Sequence, residues 1–260
     1  MTDITMIDAA AARIAGHARI TPLLESDTLN AVAGRRVLVK AECLQRTGSF
    51  KFRGAWAALS ALPAGVGVIA FSSGNHAQGV ALAARMQART AVIVMPSDAP
   101  EVKIANTRGY GAEVVLYDRL RDDRDAIGAK IAAARGLVLV RPFDDAEVIA
   151  GQGTVGLEIA AQALGVVTCD VITCCGGGGL TAGVALALEA RAPGMRVRPA
   201  EPAGFDDVAQ SLRAGRIVAH QGGTTVCDAI MTAAPGALTF PILHALCGPG
   251  LVVKIGRAHV

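Results

Sequence analysis

This chain is poor in aromatic residues. Phe, Trp and Tyr make up 3% of its 260 residues, with one tryptophan and two tyrosines. The core must therefore come from Ala, Val, Leu and Ile, within a hydrophobic content of 52%. Charge of one sign is also scarce. The net charge is +3 with Lys and Arg scattered along the chain, so no nucleic-acid partner is expected. The longest stretch without Asp, Glu, Lys or Arg, Ala229 to Val253, is interrupted by Pro235, Pro241 and Pro249 and contains His244. That argues against a membrane helix. The N-terminus carries Asp3 and Asp8 and lacks the basic start and apolar centre of a secretion signal. A soluble, cytoplasmic protein is expected. The six cysteines, Cys43, Cys169, Cys174, Cys175, Cys227 and Cys247, form no C-x-x-C pair and have no His cluster beside them. Small buried thiols are expected rather than zinc ligands or disulfides. Low-complexity linkers and fixed-period repeats are missing too.

What is present is an alternation of short apolar runs with helical stretches. Residues 66–71, 91–95, 113–117 and 137–140 read as strands, and 76–87, 101–108 and 122–135 as the helices between them. A second series follows: helix 147–164, strand 170–174, helix 180–191 and strand 195–199. This order implies an α/β fold of two units, with parallel sheets flanked by helices. Cys174 and Cys175, adjacent on one strand, should face opposite sides.

Four segments carry chemistry. In Thr47-Gly48-Ser49-Phe50-Lys51-Phe52-Arg53-Gly54-Ala55, one lysine sits in a small, apolar, glycine-bounded setting. A lysine kept from bulk water becomes a nucleophilic amine. A cation at a helix start is unfavourable, which argues against Lys51 being an ordinary surface residue. Ser72-Ser73-Gly74-Asn75-His76-Ala77-Gln78 is a strand-to-helix turn rich in N–H and O–H donors. It suits a carboxylate, although Ser and Asn are also ordinary helix caps. Gly176-Gly177-Gly178-Gly179 follows an apolar strand and precedes a helix, so its N–H groups can converge on a phosphate. Gly177, Gly179 and Ala182 also satisfy G-x-G-x-x-A, with Glu201 at the end of the next strand, which is the pattern of a dinucleotide site. That reading leaves Lys51 and the Asn75 turn unexplained. Glu201 and Asp207 could share a divalent cation, or could form a solvated acidic turn before a helix over 206–212.

Taken in order, these segments resemble the signature motifs of the fold-type II pyridoxal-phosphate enzymes, the tryptophan synthase beta-like fold, in the branch of threonine/serine dehydratases and serine racemases. The resemblance implies a larger cofactor-binding domain, residues 1–55 and 146–260, and a smaller inserted one, residues 56–145, with the cofactor in the cleft between them. It implies that Lys51 is the Schiff-base lysine and that Phe50 packs beside the cofactor. Asn75 would bond the ring oxygen, and Gly176, Gly177, Gly178 and Gly179 would hold the phosphate. Ser72, Ser73, Asn75 and His76 would grip the substrate carboxylate. Ser73 would stand on the face opposite Lys51, where racemases return a proton. Glu201, the carbonyl of Phe205 and Asp207 would hold Mg²⁺ or Ca²⁺. The implied activity is dehydration of L-threonine or L-serine to a 2-keto acid and ammonia, by a homodimer. Serine racemisation, 3-hydroxyaspartate ammonia-lyase activity, a nucleotide-dependent oxidoreductase and a truncated non-catalytic cofactor-binding fold stand as alternatives. For hydroxyaspartate, a second carboxylate needs a basic partner that the sequence does not single out. Two departures stand out. Ala229 replaces a glycine common in the family, and the Ser-Gly-Gly-Asn-like C-terminal segment is not found. One back-translation of residues 255–260 resembles a sequencing adaptor, so the chain from about Lys254 onward is expected to be a foreign tail.

Overall fold

The computed structural model describes residues 2–72, 74–220 and 222–254. Residues 255–260, and with them the expected foreign tail, lie outside the described residues, as does Ser73. The chain opens with α1 (Ile4–Ile14), β1 (Leu23–Glu25), α2 (Asp27–Ala33) and β2 (Leu38–Lys40). The short strands β1 and β2 pair antiparallel, Leu23 opposite Lys40. Helix α3 (Lys51–Ala61) then leads to the first parallel sheet.

That sheet follows the expected alternation: β3 (Val68–Phe71), α4 (Asn75–Met86), β4 (Ala91–Pro96), α5 (Glu101–Gly109), β5 (Glu113–Tyr117), α6 (Arg124–Arg135) and β6 (Val138–Leu139). Its strand order is β5-β4-β3-β6. The central strand β4 is buried from end to end, as parallel strands covered on both faces are. After α7 (Ala146–Gln162) comes a second parallel sheet: β7 (Cys169–Cys174), α8 (Gly179–Arg191), β8 (Met195–Pro202), α9 (Asp207–Ala214), α10 (Thr239–Leu246) and β9 (Leu251–Val253). Its order is β7-β8-β9. The sequence reading did not include α1, α2, the β1–β2 pair, α10 or β9, all of them short except the amphipathic α1.

Helices α3, α7 and α8 pack closely because their contact points are glycines. A Cβ on Gly151 would lie 2.6 Å from the Arg53 carbonyl, and one on Gly156 2.7 Å from the Ala187 Cβ. Arg53, 1% exposed, is held in this seam by Glu42 and Glu158 at 2.7 and 2.6 Å, and Lys40 shares Glu158. The guanidinium fixes the start of α3, and therefore Lys51, against α7. Losing one partner of such a pair strands a buried charge, at a cost of about 3–5 kcal/mol. Residue 56, where the smaller unit is expected to begin, lies within the continuous helix α3.

The thiols depart partly from expectation. All six are free, but Cys43, Cys169 and Cys174 are exposed. Cys169 and Cys174 lie at the two ends of β7, an edge strand, and point to opposite faces. Cys175, the next residue, points inward and is buried, so Cys174 and Cys175 do face opposite ways.

Candidate active site

A cleft of about 630 Å³ is lined by residues of both parallel-sheet units. Three helices, α3, α4 and α8, begin at this cleft with no side-chain cap. The start of α4 has Gly74 as its N-cap, and the start of α8 has Gly178, with no side-chain hydrogen bond at either. Elsewhere Asp3, Ser26, Asp123 and Asp145 cap α1, α2, α6 and α7 in the ordinary way. The first N–H groups of α4 and α8 are thus left for an anion from outside, with the helix dipoles adding to the attraction. Ser72 and Asn75 do not act as caps. The Ser72 hydroxyl instead accepts the Gly74 N–H at 3.1 Å.

The glycine run cannot carry side chains. A Cβ on Gly177 would overlap the Phe143 ring, and one on Gly176 would lie 3.2 Å from the Ile230 Cα. Gly178 has φ +93°, and a Cβ there would sit 2.8 Å from Leu243. Bare main chain at an uncapped helix start fits a phosphate. On the same cleft wall, Ala229 belongs to the turn Asp228–Ile230 and lines the cleft.

Lys51 is the first residue of α3, and its amine donates to the Pro142 carbonyl at 2.8 Å. Burial lowers its pKa to about 8, and neighbouring Cys174 opposes that shift only weakly. The residue as a whole is half-buried, since its stem borders the open cleft. Phe50 lines the cleft beside it, its ring centroid 5.3 Å from the amine. An amine that loses its proton near neutrality, facing a phosphate cradle across one cleft, fits an aldehyde cofactor that carries a phosphate.

Asn75 and His76 both border the cleft. The His76 Nε2 lies 3.0 Å from the Val140 carbonyl, so that nitrogen carries the proton. Burial, then the nearby Lys51 charge, lowers the imidazole pKa to about 3. The neutral ring has no second proton to give, and what His76 offers a substrate carboxylate is its main-chain N–H at the start of α4.

Glu201 and Asp207 fall on one turn, away from this cleft. Both Glu201 oxygens accept N–H bonds from the start of α9, Val208 at 3.0 Å and Ala209 at 2.8 Å. Burial raises its pKa to about 7 despite those bonds, and Asp207 and Asp206 add to the rise. Asp207 is 1% exposed with neither carboxylate oxygen partnered, and burial raises it to about 6. An orphaned carboxylate beside a second one fits a cation supported by the Phe205 carbonyl and water. Among the described residues no group of three His, Cys, Asp or Glu could hold a metal. Glu201, committed to α9, is not placed for a nucleotide ribose.

Several cleft residues were not legible as site residues. Pro142 and Phe143 come from the link after β6, and Lys103, Arg119 and Arg124 from the rim of the first sheet. Lys103 pairs with Asp228 across the mouth at 2.6 Å. The signal for the link was Pro142-Phe143-Asp144-Asp145 itself, a proline and an aromatic ahead of a helix cap.

Residues 14–259 match the family model described as "Pyridoxal-phosphate dependent enzyme". The chain belongs to that family. Its members depend on pyridoxal phosphate, and the α/β architecture with parallel sheets is theirs. The chain is 46% identical to an L-threo-3-hydroxyaspartate ammonia-lyase of Pseudomonas sp, over 90% of this chain and 74% of the relative. It is 40% identical to a serine racemase of Oryza sativa subsp. indica, over 96% of this chain and 74% of that one. Among solved structures, the T.th. threonine deaminase superposes with a TM-score of 0.92 at 45% identity, covering 97% of this chain and 82% of that one. This pyridoxal-phosphate enzyme thus stands among ammonia-lyases and racemases of small amino acids. Among its described residues no helix is long and apolar enough to cross a membrane.

Proposed function

We propose that this chain eliminates water from β-hydroxy amino acids, L-threonine and L-serine, giving a 2-keto acid and ammonia. The observation that carries the reading is the Lys51 amine, held by the Pro142 carbonyl and depressed to a pKa of about 8, in one cleft with the uncapped starts of α4 and α8. The main-chain N–H groups of Gly176 to Gly179 and the start of α8 hold the cofactor phosphate. Phe50 would pack beside the cofactor, and Asn75 would donate to its ring oxygen. When bound, pyridoxal phosphate supplies an electron sink for the carbanion at Cα. Ser72 and the N–H groups at the start of α4 hold the substrate carboxylate. The Lys51 amine takes the Cα proton, as a base whose pKa lies near working pH. The β-hydroxyl leaves with a proton as water, and hydrolysis of the resulting enamine gives the keto acid and ammonia. Glu201, Phe205 and Asp207 serve a structural cation, Mg²⁺ or Ca²⁺, remote from this chemistry.

A second reading rests on the rim. Lys103, Arg119 and Arg124 all line the cleft, paired with Asp228, Asp98 and Asp125, and any of them that exchanged its acid would meet a second substrate carboxylate. Together with the Pseudomonas relative, this supports L-threo-3-hydroxyaspartate as a substrate. Racemisation would need Ser73 as proton donor opposite Lys51. The test is to supply L-threonine, L-serine and L-threo-3-hydroxyaspartate separately, with pyridoxal phosphate, and measure 2-keto acid and D-serine. Keto acid from the first two at the higher kcat/KM supports the main reading. A preference for hydroxyaspartate selects the second, and D-serine as the major product overturns both.

A further inference from the structure

The link between β6 and α7, residues 140–145, reaches the starts of α3, α4 and α8 at the cleft. The Val140 carbonyl accepts the His76 Nε2–H at 3.0 Å, and the Pro142 carbonyl accepts the Lys51 amine at 2.8 Å. Phe143 fills the space beside Gly177 and Gly179 that side chains there would occupy. Asp145 caps α7 through the N–H groups of Glu147 and Val148. Asp144 does not border the cleft, and its side chain reaches outside the link. Its two oxygens accept the N–H groups of Leu238 at 2.7 Å and Ala237 at 3.2 Å, in the turn that enters α10. The same turn grips the glycine run. The Gly177 carbonyl accepts the Gly236 N–H at 3.1 Å and the Thr239 hydroxyl at 2.7 Å.

We propose that Asp144 is the positioning residue of the Lys51 amine, a clasp that ties the 140–145 link and the glycine run to one turn. The inference rests on Lys51 being the cofactor lysine. Two bonds from one carboxylate to successive N–H groups fix direction as well as distance. With the clasp closed, the Pro142 carbonyl stays over the amine and Phe143 stays against the glycines. With it open, the link lifts and water enters around the amine. Water replaces the carbonyl as acceptor, so losing that bond does not offset the gain in solvation. The amine then regains proton affinity. Asp144 touches no reacting atom, so it acts only through the placement of Lys51 and of the glycine run.

The experiment uses the 260-residue chain. Lys51 reactivity toward an amine reagent is followed against pH by peptide mapping, and melting is recorded in parallel. In the unaltered chain the midpoint should fall near pH 8. Asp144→Ala should move it upward by a unit or more, which lowers Lys51 labelling at pH 8 about fivefold. Asp144→Asn, which keeps the shape but accepts only one of the two N–H bonds, should fall between the two and serves if the alanine variant does not fold. Asp3→Ala removes a cap of the same kind on α1, and should lower the melting temperature without moving the midpoint. An unchanged Lys51 midpoint in a folded Asp144 variant overturns the proposal. A midpoint near 10.5 in the unaltered chain removes instead the reading of Lys51 on which it stands, so the two failures are distinguishable.

Discussion

Lys51 shows how one side chain acquires a role from its surroundings. It is the first residue of a helix, where the dipole disfavours its charge, and burial disfavours it further. The lowered pKa has a sign for stability. Between about pH 8 and the ordinary lysine value near 10.5, the unfolded chain holds a proton that the folded chain has lost. Without cofactor, stability therefore rises with pH across that window, and below pH 8 the folded state bears the full cost of the buried charge. Lys51→Ala removes the slope. Denaturant melts of the two chains at pH 8 and pH 10 should show the unaltered chain gaining relative to the variant, and parallel changes would contradict it. Borohydride reduction in the presence of pyridoxal phosphate should label Lys51, and a label on another lysine sinks the assignment. His76 is the converse case. Its type suggested a donor, but the Val140 carbonyl takes its one proton, leaving only main chain for the substrate.

At the scale of elements, the helix starts fall into several classes, and α3, α5 and α10 also lack a side-chain cap of their own. Helices α1, α2, α6 and α7 are closed by their own side chains, whereas α4 and α8 are left open at the cleft. Helix α9 is a further case. Asp206, its N-cap, makes no side-chain capping bond, and Glu201 at the end of β8 reaches over instead. That leaves Asp207 buried and unpaired. A cation bound there only in the folded state would add stability by mass action, about 2.7 kcal/mol at a hundredfold excess over its Kd. Melting after EDTA treatment, then with Mg²⁺ or Ca²⁺ restored, should show a fall and a recovery. No shift with either ion would leave Glu201 and Asp207 as an acidic turn that takes up protons instead.

The whole molecule exposes more apolar surface than its cores require. Ile172 on β7 is 63% exposed, and Leu164 and Val167, just before that strand, are 82% and 80% exposed. Parallel sheets are ordinarily covered on both faces, and β7 is an edge strand with an open ladder. We expect the 260-residue chain to self-associate, as the dimer anticipated for it or as larger species. Light scattering at increasing concentration should show mass above the monomer, and Ile172→Lys should reduce it if the β7 face takes part. A monodisperse monomer at all concentrations contradicts the expectation.

Most regular elements of the two sheets were legible because short apolar runs alternate with helical periodicity, and that pattern is local. Strand 113–117 and the helices after β3, β7 and β8 were visible on those grounds. The lysine, the donor-rich turn and the glycine run were legible for the same reason, since each is a compact segment whose chemistry depends on neighbours in sequence. Sheet order, the cleft and the residues that complete it are not local. Pro142 meets Lys51, Phe143 the glycine run, Asp144 the turn before α10 and Lys103 meets Asp228 only because tertiary packing brings distant loops to one place. The open helix starts, the spent proton of His76 and the unpaired Asp207 are likewise decided by tertiary packing. A side chain's partners and its solvation are set by what the fold places beside it, and no spacing along the chain encodes that.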